Sequence, residues 1–167
     1  MPYRENNNQF MEPENSSPQS VADLAQWMKD HCFNFNHYSI GGNAIHEGYG
    51  IEKWGGLYIW YYSEKGRRDN LQYFQSEKDI TEYAFGKITA DIWARAHCIG
   101  LTKNAVKAGE LAGILQSMGV EYKQDTIPEA GSEKPLILTY IFGCDVRKTE
   151  TLKAIYFENI LPVGHRI

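Results

Sequence analysis

The chain has no hydrophobic run long enough to cross a membrane as a helix, which takes about 20 apolar residues. Its longest apolar stretches, residues 57–62 and 136–142, have the length of strands. The first 20 residues lack the apolar core of roughly 7–15 residues that a secretory signal requires. These absences point to a cytoplasmic protein with no membrane contact. Cysteine is scarce: Cys32, Cys98 and Cys144 lie far apart in 167 residues, without a C-x-x-C pair. Their scarcity excludes a disulfide scaffold, and their odd number argues against a complete disulfide set. All three are expected to be small buried apolar residues. Basic excess is absent as well. Lys and Arg number 17 against 21 Asp and Glu, a net charge of −4, which disfavours a protein that grips nucleic acid through a basic surface.

Catalytic signatures are also missing. The chain has no G-x-x-x-x-G-K-[ST] phosphate loop, no G-x-G-x-x-G turn and no G-x-S-x-G elbow. Gly48 and Gly50 form G-x-G, but no helix follows them at the right place. His31-Cys32 and His97-Cys98 are adjacent pairs, yet consecutive helical residues project about 100° apart and do not share a site by adjacency. Only if both pairs met in space would they form a Cys2His2 metal site, and their spacing is not that of a regular ligand set. No metal, cofactor or enzymatic activity is expected. Glu77 and Asp79 suit a helix start, and Glu82 and Asp91 a solvated helix face.

What the chain does have is aromatic side chains: 4 Trp, 11 Tyr and 7 Phe, too many for wholesale disorder. Length and composition fit one domain. Residues 1–19 read as a flexible N-terminal tail, and Pro162 and Gly164 mark a C-terminal one. Ser20 and Asp23 form a capping-box variant at the start of a helix ending near Asn34, with Val21, Leu24, Ala25, Met28 and Cys32 on its buried face. Gly50 to Trp54 suits a short strand. Residues 57–62 and 67–75 read as a hairpin turning at Lys65-Gly66. Ser76 caps a second helix whose face runs Ile80, Ala84, Ile88, Ile92, Ala96, with Gly100 as its stop. A third helix is expected from Thr102 to Met118, stopped by Gly119. Strands follow at 120–123 and, centrally, 136–144, with a loop at 125–135. Residues 152–157 suit a strand or a short helix; the β-favouring Ile155, Tyr156 and Phe157 favour strand. The order does not alternate strand with helix. The expected class is therefore α+β, one domain over residues 20–167, with a mostly antiparallel sheet packed against about three helices.

The aromatics concentrate between Trp54 and Phe74. Beside Arg67-Arg68 they suggest a stacking platform for single-stranded RNA. However, the RNP1 pattern is missing, the local charge is nearly balanced, and strand alternation sends about half of the rings into the core. The same residue types dominate protein–protein hot spots, and a mildly acidic aromatic surface suits a basic partner. Against this stands a plain aromatic core with a solvated turn.

The segment Trp54-Gly55-Gly56-Leu57-Tyr58-Ile59-Trp60-Tyr61-Tyr62-Ser63-Glu64-Lys65-Gly66 resembles bacterial polymorphic-toxin immunity proteins. Several of those families have an aromatic strand ending in a tyrosine–polar–glutamate–basic–glycine turn. A second strand follows, then a helix opening like residues 76–85. The resemblance covers residues 50–96, under a third of the chain. It implies a small cytosolic inhibitor that binds a cognate toxin domain 1:1, as in contact-dependent growth inhibition. Such toxins are often basic nucleases whose active site or substrate groove the inhibitor covers. No active site or ligand set carries over. The candidate contact residues are Tyr62, Glu64, Arg67, Asp69, Glu47 and Glu52, with Tyr62 and Arg67 as anchors. The competing class is an enzyme or small-ligand domain with a pocket assembled from distant residues, for which His37, His46, Cys98 and Glu64 are the first suspects.

Overall fold

The computed structural model describes residues 17–160. Ser20 opens α1 (Val21–Asp30) with the expected capping box. Its hydroxyl accepts from the Asp23 amide at 3.1 Å, and its own amide donates to the Asp23 carboxylate at 3.2 Å. Leu24 and Met28 form the buried face. The helix stops before the expected Asn34, because Cys32 turns the chain with a left-handed φ of 57°. Most of the expected N-terminal tail, and Pro162 and Gly164, lie outside the described residues; Pro18, counted in that tail, is buried.

Four strands follow: β1 (Tyr38–Ser39), β2 (Glu47–Trp54), β3 (Leu57–Glu64) and β4 (Arg67–Phe74). They lie side by side in sequence order, with β1–β2 parallel and the other pairs antiparallel. The β3–β4 hairpin turns where expected. Lys65 (φ 50°) and Gly66 (φ 77°) both take the left-handed conformation that a tight two-residue hairpin demands. Against this sheet packs α2 (Glu77–Ala90), capped by the Ser76 hydroxyl on the Asp79 amide at 3.1 Å. Ile80, Ala84 and Ile88 are its buried stripe, as the periodicity predicts.

The helix does not continue through Ile92 and Ala96. Asp91 ends it, its carboxylate accepting from the Trp93 amide at 2.9 Å and from the Tyr38 hydroxyl at 2.7 Å. An aspartate that offers the backbone a local alternative competes with helical hydrogen bonding. A 3₁₀ turn (Ile92–Arg95) follows, leaving Ile92 61% exposed, and Ala96 begins β5 (Ala96–Thr102). Gly100 is therefore no helix stop. It lies in β5, where an added Cβ would stand 2.5 Å from Leu111 Cδ2, so its bareness lets the next helix close on the strand.

That helix, α3 (Ala105–Ser117), is capped by Asn104, buries Ala108, Leu111 and Leu115, and ends at Gly119 with φ 69°. β6 (Tyr122–Ile127) runs further than expected, into the segment read as loop, because it pairs along its length with β7 (Leu136–Phe142). β7 is central, between β5 and β6. Residues 152–157 are not a strand: α4 (Glu150–Tyr156) forms instead. Leu152 and Tyr156, one helical turn apart, both pack on the second core while Ile155 faces solvent, so spacing overrides β propensity.

The chain is thus α+β, with four α-helices where about three were expected and two open sheets, one mixed and one antiparallel. Each sheet has its own main core, and the second also carries a smaller cluster of Leu101, Leu136 and Leu138. Leu24, Met28, Trp60, Ile80 and Ile88 centre the first; Ile99, Leu111, Leu115 and Ile141 centre the second. The two are stitched together by the Asn34 side-chain amide, which donates to the Trp93 and Ala96 carbonyls at 2.7 and 2.8 Å, and by His97 Nε2 on the Cys32 carbonyl at 2.7 Å. A Cys32–Cys144 disulfide completes the join and corrects the expectation of three small buried apolar cysteines: Cys32 is buried but bonded, Cys144 is exposed and Cys98 is half-buried. The bend after α1 and the turn after β7 bring the two Cα atoms to 5.0 Å across 112 positions of sequence, a proximity that no local spacing announces.

Candidate partner-binding surface

The register of β2, β3 and β4 decides which candidate residues stand together. Side chains alternate between faces, so Tyr62 and Glu64 share a face with Trp60, and the opposed Glu47, Tyr49, Arg67 and Asp69 share it too. Five of the six candidates (Tyr62, Glu64, Arg67, Asp69 and Glu47) are thereby brought together at the turn end of the sheet. Tyr62, Glu64, Lys65, Arg67 and Asp69 line one shallow hollow there. Glu52 is not among them. It projects from the reverse face, where it forms an ion pair with Arg68, whose guanidinium lies 3.9 Å over the Tyr61 ring. An added Cβ on Gly50 would stand 2.4 Å from that ring, so the second glycine of the G-x-G exists to seat Tyr61.

Within the cluster, the Tyr62 hydroxyl donates to Glu47 Oε1 at 2.7 Å. This hydrogen bond, with desolvation and the charges of Glu47 and Glu64, pushes the phenol up to about 12. Tyr62 therefore stays a neutral donor held by a neighbouring strand, a rigid ring with a fixed polar tip. Lys65 meets Glu64 at 3.5 Å on the exposed turn, and Arg67 makes no ion pair among the described residues. The patch thus offers carboxylates around an aromatic, with one uncommitted guanidinium.

Behind it runs a continuous band of rings. Tyr62 lies 5.0 Å from Tyr49, which stacks on Trp60 at 5.5 Å with an interplanar angle of 9° and, on its other side, on Tyr38 at 6.2 Å. Trp60 meets Tyr83 of α2 edge-on at 5.8 Å. The expected division of the aromatics between core and surface is visible residue by residue. Trp60 is buried, Tyr58 and Phe74 pack against the core, Tyr61 and Tyr62 are half-buried, and Trp54 and Tyr73 are exposed. Tyr49, 38% exposed at the middle of the band, was not among the sequence candidates. Its signal was available, since it lies two residues from Glu47 on the same alternating face.

The suspects for a pocket assembled from distant residues are split. His37 and Cys98 meet in one cleft between the two cores, whereas His46 is an exposed loop residue and Glu64 belongs to the hairpin end. Burial pushes the Cys98 thiol up to about 11, against weaker lowering by hydrogen bonds and Lys153, so it is not a thiolate at neutral pH. The two His-Cys pairs do approach one another through His97 and the Cys32 carbonyl, but the Cys32 sulfur is bonded to Cys144. Among the described residues no three His, Cys, Asp or Glu side chains are grouped to hold a metal ion, and no helix is long and apolar enough to cross a membrane. No protein-family model, curated protein or solved structure matches the chain.

Proposed function

We propose that the chain is a non-enzymatic immunity protein that binds a cognate bacterial toxin domain, a basic nuclease of the contact-dependent or polymorphic type, and neutralises it by covering its active site or substrate surface. The observation that carries the reading is the hairpin end, where Glu47, Glu64 and Asp69 surround Tyr62 beside Arg67, which makes no ion pair among the described residues. A rigid aromatic with a fixed hydroxyl is the kind of anchor that dominates interface energetics, and surrounding carboxylates speed encounter with a basic partner. The turn sequence 62–66 that resembles immunity proteins is the same turn that gathers these residues. Glu52, on the reverse face, is not part of this surface.

A cytoplasmic site of action goes with this reading, although the Cys32–Cys144 disulfide is a bond that oxidising compartments keep and a reducing cytoplasm does not. The decisive experiment co-expresses the chain with the toxin domain encoded beside its gene and measures growth rescue and a 1:1 complex. Tyr62→Ala and Arg67→Ala should each weaken the complex by about 30-fold or more, the equivalent of the ~2 kcal/mol of a hot spot. Unchanged affinity in both variants refutes the hairpin interface. Failure to protect against any adjacent toxin refutes the function.

A further inference from the structure

The junction between the two cores is not closed. A cleft of about 450 Å³ opens there, within the range of small-molecule sites. Its walls come from segments remote in sequence: His37 ahead of β2, Trp93 from the 3₁₀ turn, His97 from β5, Tyr140 from β7, Lys153 from α4 and Phe157 at that helix's C-terminal cap. Binding sites at the seam of two packed units are a recurrent arrangement, because such a seam supplies concavity without cost to either core.

The lining has a definite chemistry. Trp93 is 41% exposed and meets Tyr140 edge-on at 5.3 Å, and Lys153 Nζ stands 5.3 Å over the Phe157 ring. No Asp or Glu lines the cleft. Lys153, the lysine that lines the cleft, has no ion-pair partner among the described residues, a state it shares with Lys29, Lys53, Lys87 and Lys134. Burial first, then the charges of Cys98 and Asp125, push the Tyr140 phenol up to about 12. Its hydroxyl therefore remains a donor at neutral pH, and it makes no hydrogen bond among the described residues. The cleft thus has aromatic walls, the ammonium of Lys153, the unbonded phenol of Tyr140 and no carboxylate in its lining, with the Lys123–Asp125 pair beside it and Lys123 Nζ 4.7 Å over the Trp93 ring.

We infer that this cleft binds a small planar anion, an aromatic ring bearing a carboxylate or phosphate, with the ring against Trp93 and the charge on Lys153 and the Tyr140 hydroxyl. The site lies apart from the hairpin end and stands or falls independently of the toxin reading.

The test titrates the full chain with phenyl phosphate and with benzoate, followed by calorimetry and by the indole N–H resonances in two-dimensional NMR. Saturable binding of at least one of them that moves the Trp93 resonance is the expected result. Lys153→Met should weaken it about tenfold and Tyr140→Phe about fivefold, in keeping with hydrogen bonds to charged groups. Lys134→Met, a lysine outside the cleft, should leave it unchanged. Lys153 is exposed, so its variant keeps the fold, which near-ultraviolet circular dichroism verifies. The inference is overturned if neither anion moves the Trp93 resonance at millimolar concentration. It is equally overturned if Lys153→Met binds as tightly as the parent chain, or if neutral benzyl alcohol binds as well as the anions.

Discussion

Removing the Cys32–Cys144 bond should cost the protein much of its stability, and the size of the loss follows from where the bond sits. It closes a loop across a sequence separation of 112 that contains most of both cores, and it ties down Leu24 and Met28 of α1 and Leu152 and Tyr156 of α4, which lie just outside the loop. In the chain-entropy description, cross-linking a loop of that length removes about 16 cal/mol/K from the unfolded ensemble, or ~4.8 kcal/mol at 25 °C. Engineered and natural bonds often return less, so a loss of about 3–5 kcal/mol is expected for Cys32→Ala/Cys144→Ala against the oxidised parent. For a chain of this size that lowers Tm by roughly 9–14 °C. Protein purified without reductant should be unfolded in urea with and without dithiothreitol, and its thiols counted with Ellman's reagent. Folded oxidised protein should show almost no fast thiol at pH 8, because Cys98 is part-buried and its pKa is raised to about 11. Denatured without reductant it should show one thiol, and after reduction three. Three thiols in the unreduced denatured protein, or identical urea midpoints with and without reductant, would refute the reasoning.

Other perturbations have equally definite outcomes. Gly48→Ala places a Cβ 2.1 Å from the His37 carbonyl oxygen at a φ of 140°, so the backbone itself must move; a loss of about 2–4 kcal/mol in urea unfolding is expected. Ser20→Ala and Ser76→Ala each delete a hydroxyl cap and should cost ~1 kcal/mol, measurable by thermal melts. Raised phenol pKa values mean that the folded chain holds protons which the unfolded chain, titrating near 10, releases. Tyr62 (about 12), Tyr140 (about 12) and Tyr38 (raised by burial and by Asp91) should therefore make stability fall as pH rises from about 10 towards 12 and leave it untouched near neutrality. Glu47→Gln should bring the Tyr62 titration, read from phenolate absorbance, back towards 10; no movement would mean that the 2.7 Å hydrogen bond is not made in solution.

How much of this was legible in the sequence depends on the range of the interaction concerned. Ser20 with Asp23, Ser76 with Asp79, the stripe Ile80–Ala84–Ile88 and the Lys65-Gly66 turn are encoded within a few residues, and each appears where local rules place it. Asp91 combines both ranges: its cap on the Trp93 amide is local, but the Tyr38 hydroxyl that fixes its other oxygen is 53 positions away, and apolar periodicity alone carries the helix past it. α4 was misread because the core that rewards Leu152 and Tyr156 is built by β5, α3 and β7. Alternation put five candidate residues on one face, and it would also have excluded Glu52 had β2 been read as starting at Glu47 rather than Gly50. Cys32–Cys144 and the cleft at His37, Cys98 and Lys153 arise from the meeting of the two halves, which no window of sequence contains.

The strand order has a consequence for assembly in time. A chain emerging from its N-terminus adds β1 to β4 in spatial order, each new strand finding its neighbour already present, and α2 then seals Leu24, Trp60 and Ile88. The second sheet cannot grow this way. β5 and β6 do not touch, and both wait for β7 to slot between them, so two strand edges stay open until about residue 142 has been made. Cys144 follows immediately behind. The native cystine can therefore form only after the last central strand has been synthesised, at a stage when α4 has still to be added to the second core.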